Sequence, residues 1–278
     1  MLLQICKRIT FRLLRGYRRA CFRLFHTNCT KHDIICQGKD ISIELSSDSV
    51  LAEPLFVGRF EEDESEFLRS IAESGMKVID VGANVGIYTV LLGKAIRPFG
   101  HIWSFEPYQP VASYLKRNIE MNELDNVTVI EKAVAEKEGV LDFHIFSDGD
   151  DVYNSLGAAE RPEEQLYAVR KIPVSVTTLD TVADETGIEK IDILKIDVEG
   201  AEEWVLKGAE RLIRRSPNLQ IVMELYEPSV QQCGCSIKRL IELLGSWGFS
   251  MFEIGPGGVM KCCTVEDFSG VNALFKRK

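Results

Sequence analysis

The segment Asp80–Gly86 has the residue types of a ligand-binding turn between a strand and a helix. It overlaps the end of the short apolar run Met76–Val81, which is rich in β-branched residues and is typical of a buried strand. Gly82 allows a tight turn, and Gly86 lets the helix or a ligand approach the backbone closely. Glu106 ends the next predicted strand about twenty residues downstream, where a carboxylate can accept both hydroxyl groups of a ribose. Together these features indicate a nucleoside site.

The chemistry of the turn distinguishes between nucleosides. Dinucleotide-binding folds use G-x-G-x-x-G so that helix N–H groups meet a pyrophosphate, but the second glycine of that pattern is absent here. Asp80 stands immediately before the turn, where a carboxylate repels phosphate and suits the cationic amino-acid end of S-adenosylmethionine. The residues therefore favour a methyl donor over NAD.

These residues lie in a chain in which strands and helices alternate. The predicted strands after Met76–Val81 are His101–Phe105, Val127–Ile130, Asp192–Ile196, Gln220–Leu225, Ser250–Ile254 and Asn272–Phe275. The predicted helices are the acidic segment between Phe60 and Gly75, Val85–Ile96, Gln109–Asn122, Ala201–Arg215 and one around Ile237–Leu244. This alternation predicts an α/β fold with a mostly parallel sheet that helices cover on both faces. Ligands of such sheets bind beyond the carboxyl ends of the strands.

One interval interrupts the alternation. Two strand-like runs, Val140–Phe146 and Lys171–Thr178, flank a long polar insertion that contains Asp148, Asp150 and Asp151. A long polar insertion inside a compact domain is usually a functional lid or disordered. We expect a solvated lid that becomes ordered when substrate binds, and not a metal site, because the Asp-Gly-Asp-Asp sequence lacks the loop pattern of a calcium hand.

Three segments in this order resemble the FkbM-type family of S-adenosylmethionine-dependent methyltransferases. They are Val78–Thr89 (VIDVGANVGIYT), Phe105–Pro107 (FEP) and, above all, Leu194–Glu202 (LKIDVEGAE). Val176–Asp180 and Val222–Leu225 also resemble segments of that family, and the resemblance covers roughly residues 60 to 275. It implies a class I methyltransferase (Rossmann-like) fold, with seven strands of which the last is antiparallel. It also implies methyl transfer, usually to a hydroxyl oxygen.

The resemblance further implies a role for individual positions. The residues that would wrap the amino-acid end of the donor are Asp80, Gly82, Ala83, Asn84 and Gly86. Glu106 would hold the ribose, and Ala133, just past the third strand, is placed to meet the adenine. Asp197, Glu199 and Glu202 belong to the segment after the fourth strand, beside the place where the methyl group leaves. Glu202 is equally an ordinary acid in the first turn of a helix.

Methyl transfer to a hydroxyl is an in-line displacement, so most of the rate should come from aligning acceptor oxygen, methyl carbon and sulfur. The acceptor proton must leave, and a nearby carboxylate or imidazole can take it. Asp197 is the first candidate for that base, Glu199 is a further catalytic candidate, and Glu224, at the end of the following strand, and His144 are reserves. His144 lies in an alternating strand pattern, where a histidine is more often on the surface than a base.

Charge divides the 278-residue chain into two parts. Residues 1–32 hold eight basic and no acidic side chains, whereas residues 33–278 hold 25 basic and 42 acidic ones. We therefore expect a basic amphipathic extension at 1–32, followed by a methyltransferase domain at 33–278. The extension either packs on the domain or contacts an anionic membrane surface. Its apolar runs are too short for a membrane span or a secretory signal, so we expect a cytoplasmic protein, peripheral at the membrane if the extension binds there.

The spacing of the cysteines and the absence of certain motifs reduce the number of functions that the sequence supports. The cysteines Cys233, Cys235, Cys262 and Cys263 have a spacing that fits a tetrahedral zinc site poorly, so we predict no metal site. The leading hypothesis is an O-methyltransferase that acts on a hydroxyl of a saccharide or another small molecule. RNA or DNA methylation is the second reading, but the acidic domain and the absence of an Asn/Asp-Pro-Pro-Tyr/Phe signature argue against a nucleic-acid partner. The third is a membrane-surface binding module without turnover.

Overall fold

The structure is a computed structural model that describes residue 22 and residues 33–37, 41–58, 60–147, 151–157, 159–161, 166–255, 259–265, 267–268 and 270–277. In chain order the strands among them are β1 (Asp33–Gln37), β2 (Ser42–Ser46), β3 (Lys77–Val81), β4 (His101–Phe105), β5 (Val127–Ile130), β6 (Ala133–Val134), β7 (Gly139–Ile145), β8 (Glu160–Arg161), β9 (Leu166–Tyr167), β10 (Arg170–Thr177), β11 (Ile193–Ile196), β12 (Gln220–Glu224), β13 (Phe249–Gly255), β14 (Val259–Cys262) and β15 (Asn272–Arg277). The α-helices are α1 (Ala52–Val57), α2 (Glu62–Ile71), α3 (Ile87–Ala95), α4 (Gln109–Met121), α5 (Leu179–Thr186), α6 (Glu202–Lys207), α7 (Glu210–Arg215), α8 (Glu227–Gln232) and α9 (Ile237–Ser246). Within the described ranges, none of these helices has the length and apolar character that a membrane span requires.

The central sheet has eight strands in the order β14–β13–β15–β12–β11–β3–β4–β5 among the described residues. Strands β12, β11, β3, β4 and β5 are parallel, and β15 lies antiparallel between β12 and β13. The predicted sheet, mostly parallel with the last strand antiparallel, is therefore confirmed. Strand β14 is an addition that the sequence pattern did not predict, because it is a short edge strand that forms a hairpin with β13.

The two faces of the sheet are covered by different helices. Ile79 and Leu194 pack with residues of α5, α6, α7 and α9 on one face, whereas Val78 and Ile193 pack with residues of α2 and α3 on the other. Since side chains alternate along a strand, Asp80 and Lys195 share the second face with Val78 and Ile193. The two residues are also in register across the β3–β11 pair. The packing therefore directs both side chains toward α2 and α3.

The predicted helix Ala201–Arg215 is two helices, α6 and α7, which is a correction to the sequence prediction. The chain breaks at Gly208, where an added Cβ would lie 2.0 Å from the carbonyl oxygen of Ala135. The break exposes the first N–H groups of α7, and the Asp180 carboxylate accepts two of them, from Arg211 at 3.1 Å and Leu212 at 2.8 Å. Close packing and this cap both favour two short helices over one long helix.

A smaller sheet carries the insertion. The runs Val140–Phe146 and Lys171–Thr178 form β7 and β10, as predicted, and these strands pair antiparallel with β6 beside β10. Residues 148–150 lie outside the described residues. Where the insertion resumes, the side-chain oxygen of Asn154 accepts the Phe146 N–H at 2.9 Å. This bond holds the following residues of the insertion against the end of β7.

An antiparallel hairpin, β1–β2, and helix α1 precede α2, in a part of the chain for which the sequence pattern predicted no strand or helix. Asn118 of α4 fixes the hairpin: its side-chain oxygen accepts the Glu44 N–H at 2.7 Å, and its amide donates to the carbonyl oxygens of Glu44 and Val85. These bonds join α4, β2 and the turn after β3. Val50 and Leu51, which follow β2, line the cavity of the site described below.

Candidate active site

A cavity of about 320 Å³ opens at the carboxyl ends of β3, β4, β11 and β12. The chain passes from β3 to β4 on one side and returns to β11 on the other, so this is the crevice where the strand order reverses. Among the predicted site residues, those that line the cavity are Gly82, Ala83, Asn84, Glu106, Ala133, Asp197, Glu199 and Glu224. The structure therefore brings most of them into one space.

The turn after β3 is held tightly against its neighbours. The N–H groups of Gly82 and Ala83 both donate to the carbonyl oxygen of Phe105, at 3.1 and 2.9 Å. Gly82 has φ +82°, and a Cβ at this position would lie 1.7 Å from the carbonyl oxygen of Asp197. Only glycine fits here without moving β3 and β11 apart. The turn thus brings the ends of three strands together around the cavity.

Glu106 is fixed by the backbone around it. One carboxylate oxygen accepts the N–H of Asn84 at 3.1 Å, and the other accepts the N–H of Tyr108 at 2.9 Å. The residue is buried at the cavity wall, and each oxygen of a carboxylate can accept more than one hydrogen bond. A carboxylate held in this way can accept the two hydroxyl groups of a ribose.

The cavity has an apolar wall on the side of the smaller sheet. Ala133 and Val134 of β6 line it together with Phe143 of β7 and Leu156 of the insertion. Lys132 lies beside them. A flat, mostly apolar group such as an adenine is compatible with this wall.

Besides Glu202, which is described below, three predicted site residues lie outside the cavity wall. Asp80 is buried on the face of the sheet that α3 covers, and its carboxylate accepts a hydrogen bond from the Thr89 hydroxyl at 2.6 Å. A Cβ on Gly86 would lie 2.5 Å from the Leu115 side chain, so this glycine permits close packing of α4. His144 is buried on β7 and pairs through its backbone with Ser155. In these positions Asp80 and Gly86 shape the turn, and His144 is not placed to act as the base.

Three carboxylates meet at the ends of β11 and β12. One carboxylate oxygen each from Asp197, Glu199 and Glu224 lies within 4.8 Å of the others. Burial raises the pKa of Glu224 well above its usual value, and the charge of Asp197 and a hydrogen bond with it raise it further. Glu202, in contrast, turns away from the cavity, and its carboxylate accepts the Gly200 N–H at 2.9 Å. Glu202 therefore shapes the loop that presents Glu199.

Lys195 is a member of this site that the sequence interpretation missed. Its side chain is fully buried, and its ammonium nitrogen lies 3.0 Å from the Asp197 carboxylate and 3.4 Å from that of Glu64. The ammonium also lies 5.0 Å from the ring centre of Tyr88. Burial alone would lower the pKa of Lys195, but the carboxylates of Asp197 and Glu64 outweigh it and raise the pKa well above its usual value. A lysine within the otherwise apolar strand Ile193–Ile196 was the signal available in the sequence.

Helix α2 contributes two further acids to the same cluster. Glu61, its N-cap, lines the cavity and accepts a hydrogen bond from the Tyr88 hydroxyl. Glu64 is almost fully buried, and burial raises its pKa although Lys195 opposes the shift. Burial likewise raises the pKa of Glu61. In the sequence these residues looked like the ordinary acids of a helix first turn.

The charge of the cavity suits a cationic ligand. Its acidic lining residues are Glu61, Glu106, Asp197, Glu199 and Glu224. Among the described lining residues, the Lys132 side chain is the basic one. A donor that carries a sulfonium and an amino group meets favourable electrostatics here, whereas a phosphate would be repelled. Three of the lining residues, Glu61, Asn84 and Glu199, have positive φ angles of 36°, 49° and 56°, which is backbone strain of the kind that clusters at functional sites.

Comparison with known proteins agrees with this geometry. The methyltransferase FkbM domain matches residues 80–251, more than half of the chain. The 2-O-methyltransferase NoeI of Sinorhizobium fredii is 28% identical over 66% of this chain and 75% of its own length. The methyltransferase sdnD of Sordaria araneosa is 28% identical over 55% of this chain and 67% of its own. The 31-O-demethyl-FK506 methyltransferase FkbM of Streptomyces tacrolimicus is 29% identical over 49% of this chain and 60% of its own. The chain belongs to the FkbM-domain methyltransferase family, and it is an S-adenosylmethionine-dependent methyltransferase.

Proposed function

We propose that this enzyme methylates a hydroxyl oxygen of a small neutral acceptor, with a saccharide as the leading class, and that Asp197 receives the hydroxyl proton. The observation that carries the proposal is the position of Asp197. It lies at the carboxyl end of β11, directly beside Gly82, and its carboxylate is held by the Lys195 ammonium at 3.0 Å. Two relatives, the 2-O-methyltransferase NoeI and the 31-O-demethyl-FK506 methyltransferase FkbM, carry names that describe oxygen methylation.

The proposed donor site follows the cavity from Glu106 to Asp197. Glu106 would accept the ribose hydroxyls, and Ala133 with its apolar neighbours would contact the adenine. The turn Gly82–Asn84 would contact the amino-acid end. S-Adenosylmethionine supplies an electrophilic methyl group on a positively charged sulfur, and the acids at the ends of β11 and β12 would surround that charge.

The proposed reaction needs one proton acceptor. The acceptor oxygen forms a bond to the methyl carbon as the carbon–sulfur bond breaks, and the hydroxyl proton passes to the Asp197 carboxylate. The charge of the reacting sulfur is lost in the same step. Because the residues around it hold the reactants in line, positioning is expected to supply most of the rate.

The rest of the cavity wall indicates which class of acceptor the enzyme would bind. Phe60 and Tyr88 offer apolar faces beside Glu61, and Tyr153 and Asn154 of the insertion line the same cavity. Aromatic faces with several hydrogen-bond acceptors suit a polyhydroxylated ring. An acceptor with its own phosphate or carboxylate would approach the acids at unfavourable electrostatic energy. The same argument disfavours a nucleic acid, the second candidate from the sequence.

The experiment is transfer of a labelled methyl group from S-adenosylmethionine to a panel of neutral sugars and to the same sugars bearing a phosphate or carboxylate. We expect label on neutral acceptors, with the methyl group on oxygen by mass spectrometry. Asp197→Asn should lower kcat by about 10²- to 10⁴-fold, the range for loss of a general base. Asp184→Asn is the matched control, since Asp184 is also paired with a basic side chain, that of Arg211, but lies exposed on α5. Label on nitrogen or carbon, or full activity of Asp197→Asn, would contradict the proposal.

A further inference from the structure

The buried lysine at the centre of the acidic cluster requires an explanation of its own. We propose that Lys195 is a positioning residue for methyl transfer: it keeps Asp197 ionised and oriented toward the sulfonium, and leaves the shared proton of the carboxylate pair on Glu224. The inference rests on the proposed role of Asp197 beside the donor. Lys195 itself does not line the cavity, so it acts through Asp197.

The ammonium of Lys195 has a fixed position. Strand β11 is bonded on both sides, with Lys195 opposite Asp80 of β3 and opposite Val222 of β12. Lys195 and Asp197 are two residues apart, so their side chains leave the same face of the sheet. Glu64 of α2 contacts the ammonium from the other side at 3.4 Å, and the Tyr88 ring of α3 lies beside it. The strand pairing and the contacts with Glu64 and Tyr88 thus fix the ammonium at a position beside Asp197.

Asp197 and Glu224 compete for a proton. Two interacting carboxylates do not both ionise readily, and a nearby cation decides which of them does. Lys195 forms its close contact with Asp197, at 3.0 Å. Glu224, buried against the Asp197 carboxylate, is the member whose pKa is raised well above its usual value. The pair therefore presents an ionised Asp197 before the donor arrives.

Other titratable groups face the same space. Glu61 and Glu64 approach from α2, Tyr88 from α3 and Asp80 from β3; burial raises the pKa of all four, and the charge of Asp197 raises each of them further. Glu202, at the start of α6, also feels the charge of Asp197, and one carboxylate oxygen of Glu199 lies within 4.8 Å of one of Asp197. Among these groups Lys195 is the cation. When its charge is removed, we expect Asp197 to take up a proton near neutral pH, because the neighbouring carboxylates disfavour its ionisation.

The test compares S-adenosylmethionine, which carries the sulfonium, with S-adenosylhomocysteine, which lacks it. Both are titrated calorimetrically into the full chain from pH 6 to 8.5, in buffers of different ionisation enthalpy, so that protons released on binding are counted. We expect Lys195→Met to release about one more proton than wild type when S-adenosylmethionine binds near pH 7, and its affinity to fall by up to about tenfold per pH unit below that. Binding of S-adenosylhomocysteine should change much less.

Further variants identify the group that releases the extra proton and control for a loss of folding in Lys195→Met. Adding Asp197→Asn to Lys195→Met should abolish the extra proton, which identifies its source. The double variant Lys195→Met/Glu64→Gln leaves no Glu64 carboxylate facing a missing ammonium, and it should show the same extra proton. Lys276→Met is the matched control, because Lys276 lies on β15 of the same sheet with its ammonium over the Phe252 ring.

The outcomes separate a positioning role from a structural one. Lys195→Met and Lys195→Met/Glu64→Gln could lose affinity equally for S-adenosylmethionine and S-adenosylhomocysteine, with proton release unchanged from wild type. In that case Lys195 only supports the fold, and the proposal is overturned. Extra proton release that persists after Asp197→Asn also overturns it. No acceptor is used in these titrations, so a failure to methylate hydroxyl groups would refute the proposed function without altering this result.

Discussion

Gly82→Ala tests the contact that joins the donor turn to the end of β11. The new Cβ would lie 1.7 Å from the carbonyl oxygen of Asp197, while real Cβ contacts are not closer than 3.0 Å, so the strands must separate by more than an ångström. Separation of β3 from β11 breaks the hydrogen bond from the Asp197 N–H to Val81, and a turn displaced by that distance also loses those from the N–H groups of Gly82 and Ala83 to Phe105. At about 1 kcal/mol each, with about 1 kcal/mol more for a non-glycine residue at φ +82°, the free energy of unfolding should fall by about 4 kcal/mol.

The matched control is Gly187→Ala. Gly187 has φ +72° at the end of α5, and an added Cβ there has no heavy atom within 4 Å among the described residues. It shares the backbone strain but not the collision, so we expect a loss of about 1 kcal/mol. Urea denaturation measures both variants, and calorimetry measures S-adenosylmethionine binding, which Gly82→Ala should weaken by about 100-fold or more, the equivalent of two lost charge-assisted contacts. Equal destabilisation of the two variants with unchanged donor binding would refute the reasoning.

Three further predictions address other parts of the chain. Glu106→Gln keeps one acceptor for the N–H groups of Asn84 and Tyr108 but loses the charge, so the Kd for S-adenosylmethionine should rise about 10- to 100-fold by calorimetry; an unchanged Kd would mean that Glu106 does not contact the donor. Glu64 has a folded-state pKa raised by burial to about 8 from 4.5, so it binds more protons folded than unfolded, and its contribution to stability is lost as pH rises through that window. Urea titrations of Glu64→Gln should therefore show a smaller decline in unfolding free energy between pH 5 and 8 than wild type, and an equal decline would exclude Glu64 as its source. If the basic extension binds membranes, the full chain should sediment with anionic vesicles and not with neutral ones, and removing residues 1–32 should abolish this sedimentation. Phe22, the described residue of that segment, packs against Phe56 of α1 at 5.5 Å between ring centres. Equal sedimentation of the full and the shortened chain would favour packing of the extension on the domain alone.

The sequence predicts the central strands well because burial constrains them on both faces. The predicted and observed bounds of the seven predicted strands of the central sheet, such as His101–Phe105 and Val127–Ile130, differ by two residues at most. The turn residue Gly82 and the strand-end acids Glu106 and Asp197 follow from the same pattern, since the ends of parallel strands meet at one edge. These positions required no knowledge of which distant segments pack together.

The rest of the site depends on which face of a strand each side chain occupies. Asp80 was expected to face the donor, but the register of β3 directs it to Thr89 beneath α3. Glu64 lies far from Lys195 in the sequence, and its place in the first turn of α2 has a sufficient local explanation in the helix dipole. Only packing of α2 on the sheet brings the two together. Local patterns therefore predict the edge of the sheet and not the network behind it.

The fold itself does not require the buried network of Lys195 and the acids around it. Burying ionised groups costs several kcal/mol per ion, and apolar residues of similar volume in place of a buried ion pair are often neutral or stabilising. An apolar residue at Lys195 would continue the run of Ile193–Ile196, and one at Glu64 would extend the packing of Phe67 and Leu68. Lys195 and Glu64 lie behind the end of β11, where the topology places a ligand. The strained residues Glu61 and Glu199 line the cavity at the same place. Their cost is explained if the cluster acts on the charge of the donor, which is the property that the proton-release measurement on Lys195→Met examines directly.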